Sequence, residues 1–95
     1  MKEKEEMNMR KEIKKTSNEL RDFILAKNDQ YGNSVGQPIR VFAQSHSSEE
    51  LIRVRMDDKL SRLARGNDSM ESDEDVIMDL AGYCILLLIA MREQL

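Results

Sequence analysis

The spacing of apolar residues predicts a long helix in the first third of the chain. Its inward positions are Met9, Ile13, Thr16, Leu20 and Phe23. They are separated by four, three, four and three residues, which is the heptad-like spacing of one helix face. We expect this face to be buried and the charged face to be solvated, with the helix ending near Lys27 or Asn28. Turn-forming residues fill positions 28–38, and residues 39–44 are predicted to form a short helix.

A second helix is predicted by the capping-box sequence Ser47-Ser-Glu-Glu50, with Ser47 as the N-cap residue. We expect the helix to continue to about Arg65 and to stop at Gly66. Its buried stripe is predicted to consist of Ile52, Met56, Leu60 and Leu63, with Lys59 projecting among them.

A third helix is predicted after Ser72, a second candidate cap, and every residue from Cys84 to Met91 is apolar. Ile77, Ala81, Cys84 and Leu88 form a stripe opposite the acids of its first turns. A helix that is apolar nearly all round has to be covered on more than one side. We therefore expect a second subunit to cover part of it.

Composition supports an all-α fold in a single domain covering residues 1–95. Charged residues make up 35% of the chain and aromatic residues only 4%, which favours helices over strands. We predict a long N-terminal helix, a loop, and two further helices packed as a bundle that oligomerisation completes. The net charge of −3 argues against a direct nucleic-acid polymer as the partner.

Cysteine and histidine are too few for a disulfide framework or a zinc site. Cys84 is expected to be a small core residue of a protein in a reducing compartment, and His46 to be a solvated side chain in a Ser-rich turn. The N-terminal residues alternate in charge, and the apolar run near the C-terminus is about a dozen residues, short of the ~20 that span a bilayer. A soluble cytoplasmic protein without a membrane partner is expected.

Candidate chemistry lies where the second and third helices carry opposite charges. Asp75 and Asp79 are one turn apart, and Asp79 enters the apolar part of the third helix, where a carboxylate needs a counter-charge or hydrogen-bond donors. Arg55, Lys59 and Arg62 form a basic edge on the second helix, with Asp58 beside them. The acids and bases can bind a phosphate with its Mg²⁺, because carboxylate oxygens suit Mg²⁺ and Arg and Lys bind phosphate oxygens. They can equally form structural ion pairs or a solvated ridge.

Three blocks of the sequence resemble the nucleotide modification associated domain 1 family, formerly a domain of unknown function. The blocks are Tyr31-Gly-Asn-Ser34, Ile52-Arg-Val-Arg-Met-Asp-Asp-Lys-Leu-Ser-Arg-Leu63, and Glu71-Ser-x-Glu-Asp-x-x-x-Asp-Leu-Ala-x-Tyr83. The resemblance covers about 27–91. The family is frequent in bacteriophages and is distantly similar to the all-α nucleoside triphosphate pyrophosphatases related to MazG.

The resemblance implies an all-helical, nucleotide-related protein that forms dimers or higher oligomers, located in the host cytoplasm if phage-encoded. The family's residues carry over to Tyr31, Gly32, Ser34, Asp58, Lys59, Arg62, Glu71, Asp75, Asp79 and Tyr83. On this basis the expected phosphate ligands are Tyr31, Gly32, Ser34, Lys59, Arg62 and Tyr83, and the basic edge of the second helix adds Arg55 to them. The expected Mg²⁺ ligands are Asp58, Glu71, Asp75 and Asp79. Tyr31 either stacks on a base or anchors the loop.

One departure from the MazG pattern bears on hydrolysis. Those pyrophosphatases place two glutamates three residues apart on the second helix, where this chain has Asp57, Asp58, Lys59 and Arg62. The sequence therefore leaves three candidate functions. The first is a nucleotide-phosphate-binding protein that hydrolyses its ligand with Mg²⁺, and the second is a non-catalytic phage sponge that sequesters a nucleotide or cyclic-dinucleotide signal. The third is a structural helical oligomer in which the acids and bases only pair with each other.

Overall fold

The computed structural model describes residues 7–31, 47–66 and 71–93, which form three helices and no strand. Helix α1 spans Met9–Tyr31, α2 spans Ser48–Arg65 and α3 spans Asp73–Glu93. The all-α prediction is confirmed. Within these residues, none of the helices combines the length and the apolar character needed to cross a membrane. The predictions for the 39–44 helix and for His46 concern residues outside the described ranges.

Helix α1 begins at a side-chain cap, and the C-terminal half of α1 contacts α3. The Lys11 N–H donates to Asn8 Oδ1 at 3.2 Å, which satisfies one of the free donors of the first turn. Gly82 of α3 lies against Ile24 so closely that a Cβ built on Gly82 would be 3.4 Å from Ile24 Cγ1. The helix runs to Tyr31, a few residues beyond the predicted end near Lys27 or Asn28.

Only two of the five residues in the predicted buried stripe of α1 are partly buried. Leu20 and Phe23 are partly buried, whereas Met9 and Ile13 are 59% and 57% exposed. Thr16 is exposed as well. The heptad-like spacing identifies one face of the helix, but burial also needs a neighbouring element. Ile24, beyond the exposed part of this stripe, lies against Gly82 of α3.

Helix α2 begins and ends as the sequence predicts. Ser47 adopts an extended conformation and its Oγ accepts the N–H of Glu50 at 3.1 Å, while Gly66 ends the helix with a φ of 88°. Ile52 is buried, but Leu60 is 50% exposed, so its assignment to the buried stripe is wrong. Lys59 occupies the inward position instead, because that side of α2 faces the carboxylates of α3.

Helices α2 and α3 pack against each other in an antiparallel hairpin. Arg62, late in α2, meets Glu71 just before α3, and Lys59, one turn earlier, meets Asp79 farther along α3. The Asp75 N–H donates to Ser72 Oγ at 3.1 Å, which confirms Ser72 as a cap. The packed side of α3 carries the buried residues Val76, Gly82 and Ala90.

The opposite side of α3 is exposed, which corrects the prediction for Cys84. The cysteine is exposed rather than part of the core. Ile77 and Leu88, which belong to the same stripe, are 53% and 45% exposed. The packed face of α3 is rotated away from this stripe, because α2 and α1 contact the side that holds Val76 and Gly82.

Candidate functional site

Five charged side chains from α2 and the start of α3 form one continuous group, which we call the charged cluster. Its members are Asp58, Lys59, Arg62, Glu71 and Asp79. Each is within 4 Å of at least one other member, and all five were predicted to belong to a single site. The antiparallel hairpin accounts for this convergence, because it brings the last two turns of α2 beside the first two turns of α3.

Lys59 is the most buried base of the charged cluster. Its side chain is 12% exposed, and its Nζ lies 2.9 Å from Asp79 Oδ2 and 3.7 Å from Glu71 Oε1. Partial burial and the charge of Arg62 lower the pKa of Lys59, but the hydrogen bond to Asp79 and the charges of Asp79 and Glu71 raise it by more. The net result is a pKa above the ordinary lysine value, so Lys59 is a firmly charged ammonium group at neutral pH.

Glu71 connects the two bases. Its Oε2 accepts a hydrogen bond from Arg62 Nη1 at 3.0 Å, and its Oε1 faces Lys59. Arg62 also contacts Asp58 Oδ2 through Nη2 at 3.3 Å, an i,i+4 pair along α2. Both terminal nitrogens of the guanidinium are thus directed at carboxylates, one at Glu71 and the other at Asp58. A guanidinium can also present such nitrogens to the oxygens of a phosphate. The sequence identified Glu71 only as a candidate metal ligand. Its contact with both bases was not predicted.

The remaining candidate residues are not drawn into the charged cluster. Arg55 is exposed and has no ion pair or hydrogen bond within the described ranges. This agrees with the alternative in which the basic edge is a solvated ridge. Asp75 is exposed at the start of α3, and Tyr83 is partly buried one turn beyond Asp79. Gly32, Ser34 and the side chain of Tyr31 lie outside what the structure describes.

Among the described residues, the acids do not form a metal site from protein groups alone. Where the structure describes the chain, no three His, Cys, Asp or Glu side chains converge closely enough to hold an ion. Glu71 and Asp79 nevertheless share Lys59 as a contact, so two carboxylates lie within 4 Å of one ammonium group. Two carboxylates are the number that Mg²⁺ commonly takes from a protein when phosphate oxygens and water complete its coordination.

Comparisons with known proteins add no relative: no family model, curated protein or solved structure matched the chain.

Proposed function

We propose that the charged cluster binds the phosphate group of a nucleotide, with Lys59 and Arg62 as the phosphate ligands. The observation that supports the proposal is the convergence of these bases with Glu71 and Asp79, from separate blocks of the sequence, so that each base lies within 4 Å of at least one of the two acids. Arg62 can offer two terminal nitrogens and Lys59 one ammonium group as donors to the oxygens of a phosphate.

The charge of the cluster determines how an anion enters. Two bases face three carboxylates, so a phosphate has to replace carboxylate oxygens on Lys59 and Arg62 rather than add to an empty positive site. In the ligand-free protein the carboxylates already position both bases, and such preorganisation reduces the conformational entropy lost on binding. The side chains of Glu71 and Asp79 are 27% and 22% exposed, so solvent reaches the carboxylates that have to move.

A divalent cation fits this exchange. The carboxylates of Glu71 and Asp79 would hold Mg²⁺ together with oxygens from the phosphate, and the ion would supply positive charge that offsets the three acids. Lys59 and Arg62 would then keep the phosphate in place. We propose nucleotide binding without assigning a hydrolytic step. The basic residues of α2 stand near the helix position where the pyrophosphatases related to MazG carry glutamates.

A second candidate function is purely structural, and one observation favours it. Each base of the charged cluster already has a carboxylate partner at 3.0 Å or less, and no buried side-chain nitrogen or oxygen in the described part of the protein lacks a hydrogen bond. Under this alternative the charged cluster locks α2 to α3 and binds nothing. The two functions differ in whether added phosphate competes with the ion pairs.

The test is a ligand panel applied to the full chain. Nucleoside mono-, di- and triphosphates and cyclic dinucleotides are incubated with the protein, with and without Mg²⁺, and both retention and turnover are measured. Retention of at least one phosphate ligand supports the proposal. Release of that ligand unchanged after denaturation identifies a sequestering protein, and release as monophosphate with pyrophosphate identifies an enzyme. No retention and no turnover across the panel would leave the structural alternative.

A further inference from the structure

The exposed side of α3 carries a regular apolar stripe that the described helices do not cover. Its residues, which we call the outer stripe, are Ile77, Ala81, Cys84, Leu88 and Met91. They are separated by four, three, four and three residues, the spacing of a helix–helix seam. Ile77, Leu88 and Met91 are 53%, 45% and 51% exposed.

The outer stripe is long enough to form an interface. From Ile77 to Met91 it extends about 21 Å along the helix axis. Ile85 and Ile89 flank it and are 38% and 42% exposed, so the surface is wider than one row of side chains. Monomeric soluble proteins rarely leave a continuous apolar surface of this extent in water.

We propose that the outer stripe is the interface with a second copy of this chain, in which the two α3 helices pair antiparallel about a twofold axis. Charge favours this orientation. The first turn of α3 contains Asp73, Glu74 and Asp75, whereas the last turn contains Arg92 and Glu93, whose charges offset each other. Antiparallel pairing brings Arg92 of each copy to the acidic end of the other, whereas parallel pairing sets three acids against three acids.

The spacing of the outer stripe also fixes the register. When Ile77 of one copy packs opposite Leu88 of the other, Ala81 packs opposite Cys84. The twofold axis generates a second copy of each of these two contacts. This register places the small Ala81 beside another small side chain at the centre of the interface. It also places Arg92 opposite Asp73 of the second copy.

Cross-linking tests orientation and register directly. In a Cys84→Ser background, Ile77→Cys and Leu88→Cys proteins are prepared separately, mixed and oxidised mildly. Antiparallel pairing predicts that the mixture forms a disulfide-linked dimer, because position 77 of one copy faces position 88 of the other. Either protein alone should form little disulfide-linked dimer, because the two copies of position 77 are about 16 Å apart along the helix axis. Linkage of each protein with itself would indicate parallel pairing and would overturn the proposal.

The oligomeric state provides an independent readout. Analytical ultracentrifugation of the parent chain should give twice the chain mass of 11.0 kDa. Ile77→Glu should raise the dissociation constant by at least about tenfold, since a charge is placed in the interface. Val54→Glu is the matched control, because Val54 is 59% exposed on α2 and outside the outer stripe. If Ile77→Glu unfolds the chain, the cross-linking result decides. A parent chain that stays monomeric up to high micromolar concentration overturns the proposal.

Discussion

Lys59 Nζ on α2 lies 2.9 Å from Asp79 Oδ2 on α3, and the two side chains are only 12% and 22% exposed. This pair joins the two helices that form most of the packing, and it stands at the centre of the charged cluster. The atoms that would bind a ligand are therefore the same atoms that hold the hairpin together. Substitutions here are expected to change stability and ligand affinity by different amounts, which makes the two roles separable.

Replacing Asp79 by Asn should destabilise the ligand-free protein by about 2 kcal/mol. The substitution removes the carboxylate at 2.9 Å and leaves the mostly buried Lys59 ammonium with Glu71 at 3.7 Å as its remaining carboxylate contact. Urea unfolding measures the difference in the free energy of unfolding.

The matched control for that substitution is Asp73→Asn, because Asp73 is an exposed acid in the first turn of the same helix. It should cost less than about 1 kcal/mol, the range of an exposed acid at a helix N-terminus. Equal losses for both variants would show that the Lys59–Asp79 pair contributes little to stability.

The stability contributed by Lys59 should disappear at alkaline pH. Its pKa is raised in the folded protein, so between the pKa values of the unfolded and folded states the folded protein binds more protons. This stability is fully present below the unfolded pKa of about 10.4 and is lost over the window in which the pH rises from that value through the higher folded pKa. The difference in unfolding free energy between the parent and Lys59→Gln should shrink over that window. Other groups titrate in both proteins, so their contributions cancel in this difference. A constant difference would contradict the assignment.

Gly82 should tolerate Ala but not Leu. A Cβ at this position would be 3.4 Å from Ile24 Cγ1, which α1 can accommodate with a shift of a few tenths of an ångström. The Ala variant gains helix propensity of about 1 kcal/mol, which offsets the tighter contact. A Leu side chain would push α1 away from α3 and expose Ile24. Hydrogen exchange of the α1 amides should be faster in Gly82→Leu than in Gly82→Ala, and equal rates would show that α1 is not held at this contact.

Local signals in the sequence predicted the helix boundaries well. Ser47 and Ser72 act as caps and Gly66 ends α2, because capping and termination depend on a few neighbouring residues. The inward position of Lys59 was also predictable, because it falls on the apolar side of the α2 helical wheel and the acids of α3 supply counter-charges.

Burial was predicted less well, because it depends on which helix faces which. Cys84, Leu60 and the stripe positions Met9 and Ile13 all lie on apolar faces, yet each is exposed. Periodicity identifies a face but does not say whether another part of the chain or a second subunit covers it. The same limit applies to the charged cluster, since the pairing of Arg62 with Glu71 depends on the path between α2 and α3.

The most direct test of the proposed function is the affinity of Arg62→Gln for the nucleotide that the parent retains most tightly. Each charge-assisted hydrogen bond contributes roughly 1.5–3 kcal/mol, so affinity should fall about ten- to a hundredfold. Arg53→Gln is the matched control, because Arg53 carries the same charge on the same helix and pairs only with Glu49 at 3.8 Å within the described chain. Titration calorimetry should show weakened binding for Arg62→Gln and parental binding for Arg53→Gln, with unchanged helicity in both. Parental affinity in both variants would contradict the assignment of Arg62 as a phosphate ligand.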